Sequence, residues 1–89
     1  MPIQDLFWDD WNEMHIARHH VTPEEVEDIC FAEPWEKRAV GGKRALYGQT
    51  RAGRYLLVIG VHRGGEMFYP ISARDMTQTE RRLFQQHRR

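Results

Sequence analysis

The chain has 89 residues, 40% apolar and 29% charged, with one cysteine and a formal net charge of zero. Such a length builds one domain with a modest core, a lone Cys30 excludes an internal disulfide and fits a reducing compartment, and no apolar run nears membrane-spanning length. The zero hides a division: residues 1–36 carry ten acids against the single base Arg18, and residues 37–89 carry twelve bases against three acids, so −9 stands against +9, an asymmetry that hints at a polyanion-binding face.

The opening Met-Pro-Ile-Gln-Asp has neither the basic start nor the apolar core of a secretory signal, so the expected location is the cytoplasm. Residues 3–8 read as a short edge strand or an anchoring arm. Asp9 or Asp10 then caps a helix to about His20, with acids on its first turn where the helix dipole favours them. Thr22-Pro23-Glu24-Glu25 is a sharper start, a capping box with proline at the first helical position. Val21 and Val26 are spaced to staple that start, Val26, Ile29 and Cys30 share one face, and Pro34 ends the helix. The tight link at His20 makes the two helices a hairpin.

From Trp35 the period changes. Strands are expected at 36–40, 44–50, 54–62 and 66–73, turning at Gly41-Gly42-Lys43, at Ala52-Gly53 and at Arg63-Gly64-Gly65. Pro70 has no N–H and marks an edge or a bulge in the last strand. Thr77 to Glu80 is another capping box, opening a short helix through Leu83 and Phe84, with fraying expected toward Arg89. The fold class is therefore α+β: an N-terminal helix hairpin packed on a four-stranded antiparallel sheet, with a short C-terminal helix. If the last two strands pair symmetrically about their turn, Arg54 and Arg74 lie at the same end of the sheet.

His15 and His19 are one helical turn apart, a spacing that can hold a metal, but no further ligand completes a set. Histidines late in a helix also interact favourably with its dipole, so neither a metal nor a cofactor is expected. No nucleophile–histidine arrangement and no phosphate loop is present. The arginines are the best candidates, because a guanidinium grips phosphate bidentately and keeps its charge. Arg54 and Arg74 stand out, since each borders an apolar strand that fixes its position. His62 and Glu80 are candidates for proton transfer, although His62 reads equally well as a turn residue and Glu80 as a cap. Lys43, Arg44, Arg51, Arg63 and Arg81 are candidate contacts to the phosphates of a polyanion.

Taken in order, Trp8-Asp9, Asn12, Arg18-His19, Val21 and Glu24-Glu25-Val26, then Tyr47-Gly-Gln-Thr50, Gly53-Arg54 and Leu57-Val58, then Ile71-Ser-Ala-Arg74, Thr77 and Glu80-Arg81, the chain resembles the BrnT family of ribonuclease toxins. These toxins belong to bacterial type II toxin–antitoxin systems and share the fold of the RelE group. The similarity runs from about residue 7 to 84. It implies a RelE-like fold, cleavage of RNA, and neutralisation by a BrnA-like antitoxin protein. Arg54, Arg74 and Arg81 match arginines of the family pattern. Two positions depart from it: His20 stands where the family usually has glycine, and Pro70 where it usually has isoleucine or a basic residue. The rival expectation is a non-catalytic protein-binding module of the same fold.

Overall fold

The computed structural model of the protein describes residues 3–88. Its elements are β1 (Asp5–Leu6), α1 (Asp10–Ala17), α2 (Pro23–Cys30), β2 (Trp35–Arg38), β3 (Arg44–Gln49), β4 (Tyr55–His62), β5 (Met67–Asp75) and α3 (Gln78–His87). All three helices start on a capping box, from Asp9 with Asn12, Thr22 with Glu25, and Thr77 with Glu80. In each the cap side chain accepts from the backbone N–H three residues on, and that residue's side chain accepts in return.

The helix ends depart from expectation. Helix α1 stops at Ala17 rather than His20, and His20 takes the left-handed conformation that lets the chain turn into α2, with φ of 58°. Glycine takes that conformation freely, whereas a side chain there is strained. Helix α2 stops at Cys30, ahead of Pro34, with Glu33 also left-handed at φ 54°. Helix α3 runs past Phe84 to His87; the fraying expected at Arg89 lies outside the described residues.

The sheet has five strands in the order β1-β5-β4-β3-β2. Strands β2 to β5 form the expected antiparallel meander, but β1 adds a parallel edge, Asp5 opposite Met67 and Leu6 opposite Phe68. The sheet is therefore mixed rather than purely antiparallel. Register between β4 and β5 shifts after Ile59: Ile59 faces Ser72 and Gly60 faces Pro70, so Ile71 is bulged out. Pro70 thus sits at a bulge, where its missing N–H is tolerated. A Cβ on Gly60 would lie 2.4 Å from the Tyr69 carbonyl oxygen and 2.5 Å from the Phe68 ring, so only glycine lets the bulge close.

The core lies between the helix hairpin and one face of the sheet. Ile16, Val26 and Ile29 pack there against Leu46, Leu56, Val58, Phe68 and Ala73. Burial pushes the Cys30 thiol up to about 12, leaving it an inert hydrophobe. One polar side chain is wholly enclosed: Asn12 donates to the Phe7 carbonyl at 2.8 Å and the Pro70 carbonyl at 3.0 Å, and accepts from Asp9 N–H. It ties the start of α1 to the exit of β1 and to the bulge, with its hydrogen-bonding capacity met, as an enclosed amide requires.

Candidate functional site

Cross-strand partners share a face of a sheet, so the register sorts every candidate. Glu36, Leu46, Val58 and Ala73 form one row, facing the helix hairpin, and Trp35, Tyr47, Leu57 and Arg74 form the next, facing away. That second face is covered only at its lower end, by α3. Phe84 meets Tyr55 edge-on at 6.0 Å, and His87 stacks on Trp35 at 4.4 Å. A cavity of about 300 Å³ opens beside it, its walls including Trp35, Tyr47, Gln49 and His87.

Arg54 and Arg74 do lie at the same end of the sheet, but they leave it in opposite directions. Thr50 pairs with Arg54 by Thr50 N–H to Arg54 O at 2.9 Å, which puts Arg54 on the hairpin side with Leu56. There its guanidinium is fully engaged. Nε and Nη2 donate to Asp75 at 2.9 and 3.2 Å, Nη1 donates to the His20 carbonyl at 2.7 Å and to Glu25 at 3.1 Å, and Nη2 donates to the His19 carbonyl at 3.1 Å. A guanidinium has five N–H groups, and these contacts occupy all of them. The shared end of the sheet is thus as expected, but strand alternation points the two arginines to different faces and they do not act at one spot.

Arg74 keeps part of its fork. Nη1 and Nη2 clasp Glu80 at 2.8 and 2.9 Å, and Nη1 also donates to the Asp75 carbonyl at 3.0 Å. Nε–H and the second Nη2–H have no acceptor among the described residues. The Arg74 bond and the capping N–H of Thr77 hold the Glu80 carboxyl down to about 2. Tyr47 is close enough to feel both charges. Burial raises its hydroxyl above the ordinary tyrosine value, Glu80 raises it further, and Arg74 pulls the other way.

The remaining expected residues are dispersed. His62 lies on the hairpin side near the far end of β4, about five residues or roughly 16 Å along the strand from the partner of Arg74. Its Nε2 meets Glu36 at 2.9 Å, Arg44 reaches the same carboxylate at 2.7 Å, and its Nδ1 is buried without a partner among the described residues. Burial pushes the Glu36 carboxyl up, but the His62 and Arg44 bonds outweigh it and hold the group below its usual value. Arg51 is exposed at the β3–β4 turn and pairs loosely with Asp28 at 3.7 Å. Lys43 sits in the β2–β3 turn, beside Gly41. Arg63 lies over the Tyr69 ring at 4.7 Å and Arg81 over the Tyr55 ring at 4.0 Å. Lys43, Arg44 and Arg63 therefore occupy one end of the sheet and Arg51 and Arg81 the other.

Tyr47, Tyr55 and Tyr69 were not among the expected site residues. Strand alternation places each on the Arg74 face once the bulge is included, so their signal was present but depended on register. Among the described residues no group of three or more His, Cys, Asp or Glu side chains is arranged to hold a metal, and no helix is long and apolar enough to cross a membrane.

The structure is similar to the crystal structure of the Brucella abortus ribonuclease toxin BrnT, with a TM-score of 0.67 and 19% sequence identity over 83% of this chain and 97% of that one. The fold is therefore that of BrnT, as the resemblance implied. No family model matches the chain, and neither does any curated protein.

Proposed function

We propose that this single-domain chain is an endoribonuclease toxin of the cytoplasm, held silent by an antitoxin of the BrnA type. The observation that carries the reading is Arg74: a guanidinium fixed by Glu80, with two donors unengaged, on the open face of a fold shared with a ribonuclease toxin.

RNA brings its own nucleophile. The 2′-oxygen attacks the adjacent phosphorus, the bond to the 5′-oxygen breaks, and a 2′,3′-cyclic phosphate and a 5′-hydroxyl result. One proton leaves the 2′-hydroxyl for water and one is taken up by the departing 5′-oxygen. Charge grows on the non-bridging oxygens meanwhile. The Nε–H and Nη2–H pair of Arg74 suits two of those oxygens and needs no reorganisation, which is where such donors act most strongly. Tyr47 adds a neutral O–H donor on the same face. Glu80 is too weak a base for proton abstraction with its carboxyl near 2, and we read it as the residue that positions Arg74. Arg54, with every donor engaged, and His62, at the far end of the strand, we read as structural.

The test compares wild type with Arg74→Ala, on induction in cells and on purified RNA in EDTA. Wild type is expected to arrest growth and to leave cyclic-phosphate ends with the chelator present. Arg74→Ala is expected to cleave about 10²- to 10³-fold more slowly, as for loss of one preorganised donor. Equal toxicity of the two proteins removes Arg74 from the mechanism. No cleavage by wild type returns the chain to a protein-binding module.

A further inference from the structure

Two exposed arginines on the Arg74 face share an arrangement that charge alone does not require. The Arg81 guanidinium lies over the Tyr55 ring at 4.0 Å, and that ring is fixed by Gln85 Nε2 donating to its hydroxyl at 3.0 Å. The Arg63 guanidinium lies over the Tyr69 ring at 4.7 Å, and that hydroxyl donates to Asp9 at 2.9 Å. Neither arginine has a carboxylate partner among the described residues, in contrast to Arg44, Arg51, Arg54 and Arg74. Tyr55 lies two residues below Leu57, the partner of Arg74, and Tyr69 opposes Val61 above it. Along β4 the two rings are thus about 20 Å apart, with Arg74 between them.

A planar guanidinium seated on an anchored ring presents its second face to solvent and its N–H rim sideways. The second face is a stacking surface for a nucleobase, and the rim reaches the neighbouring phosphate. We infer that Arg63–Tyr69 and Arg81–Tyr55 are two nucleobase platforms flanking Arg74, and that the occupant of this face is single-stranded RNA. Bases locked in a duplex have no free faces to offer, whereas a single strand can splay its bases onto both. The inference rests on the proposed function for its choice of RNA, but binding is measured separately from cleavage.

The experiment uses the Arg74→Ala protein, which leaves its probe intact, and a fluorescent 12-nucleotide RNA, single-stranded or annealed to its complement. Arginine-to-lysine changes at 63 and 81 keep the charge and remove the flat stacking surface. Single-stranded RNA is expected to bind more tightly than duplex, and Arg63→Lys with Arg81→Lys to weaken the single strand about tenfold or more while leaving the salt dependence nearly unchanged. Far-ultraviolet circular dichroism of the double variant checks that it is folded, and Tyr55→Phe, which keeps the ring under Arg81, is expected to retain most of the affinity. Three results overturn the inference: lysine variants that bind within twofold, equal affinity for duplex, or no binding of single-stranded RNA by the Arg74→Ala protein or by wild type. Lysine variants that lose affinity for a co-expressed antitoxin but not for RNA would also overturn it, assigning the face to a protein. Wild type that binds single-stranded RNA through these platforms yet never cleaves it would refute the proposed function and leave this inference standing.

Discussion

At the scale of residues, Arg54 and Arg74 look interchangeable in the sequence and are separated by where their N–H groups go. Arg54 joins α2, the hairpin link and the end of β5 through one guanidinium. Arg54→Ala leaves two carbonyls and two carboxylates without that donor, and it is expected to lower stability by about 1.5–3 kcal/mol, the range for hydrogen bonds to charged groups, toward its lower end because Asp75 is solvent-exposed. A urea melt measures this, and a change under about 0.5 kcal/mol would contradict the structural role. Glu80 gives a pH signature. Its folded carboxyl is depressed to about 2 from the usual 4.5, so its contribution is fully present above 4.5 and is lost as pH falls toward 2. Glu80→Gln is therefore expected to flatten the stability profile in that acid window, and identical acid melts of mutant and wild type would refute it.

At the scale of elements, the strongest departures from expectation lie at the joints. Helix starts were legible because Thr22-Pro23-Glu24-Glu25 and Thr77 to Glu80 announce their hydrogen bonds locally. The end of α1 was not, because His20 adopts a conformation that histidine seldom takes and only the tertiary clasp of Arg54 on the His19 and His20 carbonyls explains it. His20→Gly removes that strain, and it is expected to raise stability by about 0.5–1 kcal/mol, seen as a higher melting temperature; a lower one would show that the imidazole contributes more than the strain costs. The four antiparallel strands were legible from alternation and glycine turns. An edge strand within residues 3–8 was one of two readings there, but its parallel pairing with β5 was not legible, since two residues carry no period. The bulge at Ile71 was flagged by Pro70 without its direction, and the candidate site followed suit: Arg74 could be singled out from its place beside an apolar strand, while seeing that Tyr47, Tyr55 and Tyr69 share its face needed a register that alternation alone does not supply.

At the scale of the whole molecule, the division of charge becomes a division of layers. The hairpin carries most of the acids, and Glu25 and Asp28 of α2 hold Arg54 and Arg51 at the lower turn. The opposite face keeps Arg63, Arg81 and Arg88, each seated on an aromatic ring. A polyanion is thus attracted to one side and repelled from the other, which orients its approach before contact. The parallel pairing of Asp5 with Met67 also sets a timetable for synthesis. The ribosome makes β1 and α1 early, yet their partner is β5, and Asn12 waits on the Pro70 carbonyl. Contacts so distant in sequence form late. A chain stopped at residue 63 is expected to show no cooperative unfolding by circular dichroism, and a cooperative transition in that fragment would refute the timetable. A nascent chain therefore cannot close its sheet, or bring Arg74 beside Glu80, until β5 and the start of α3 have both been made.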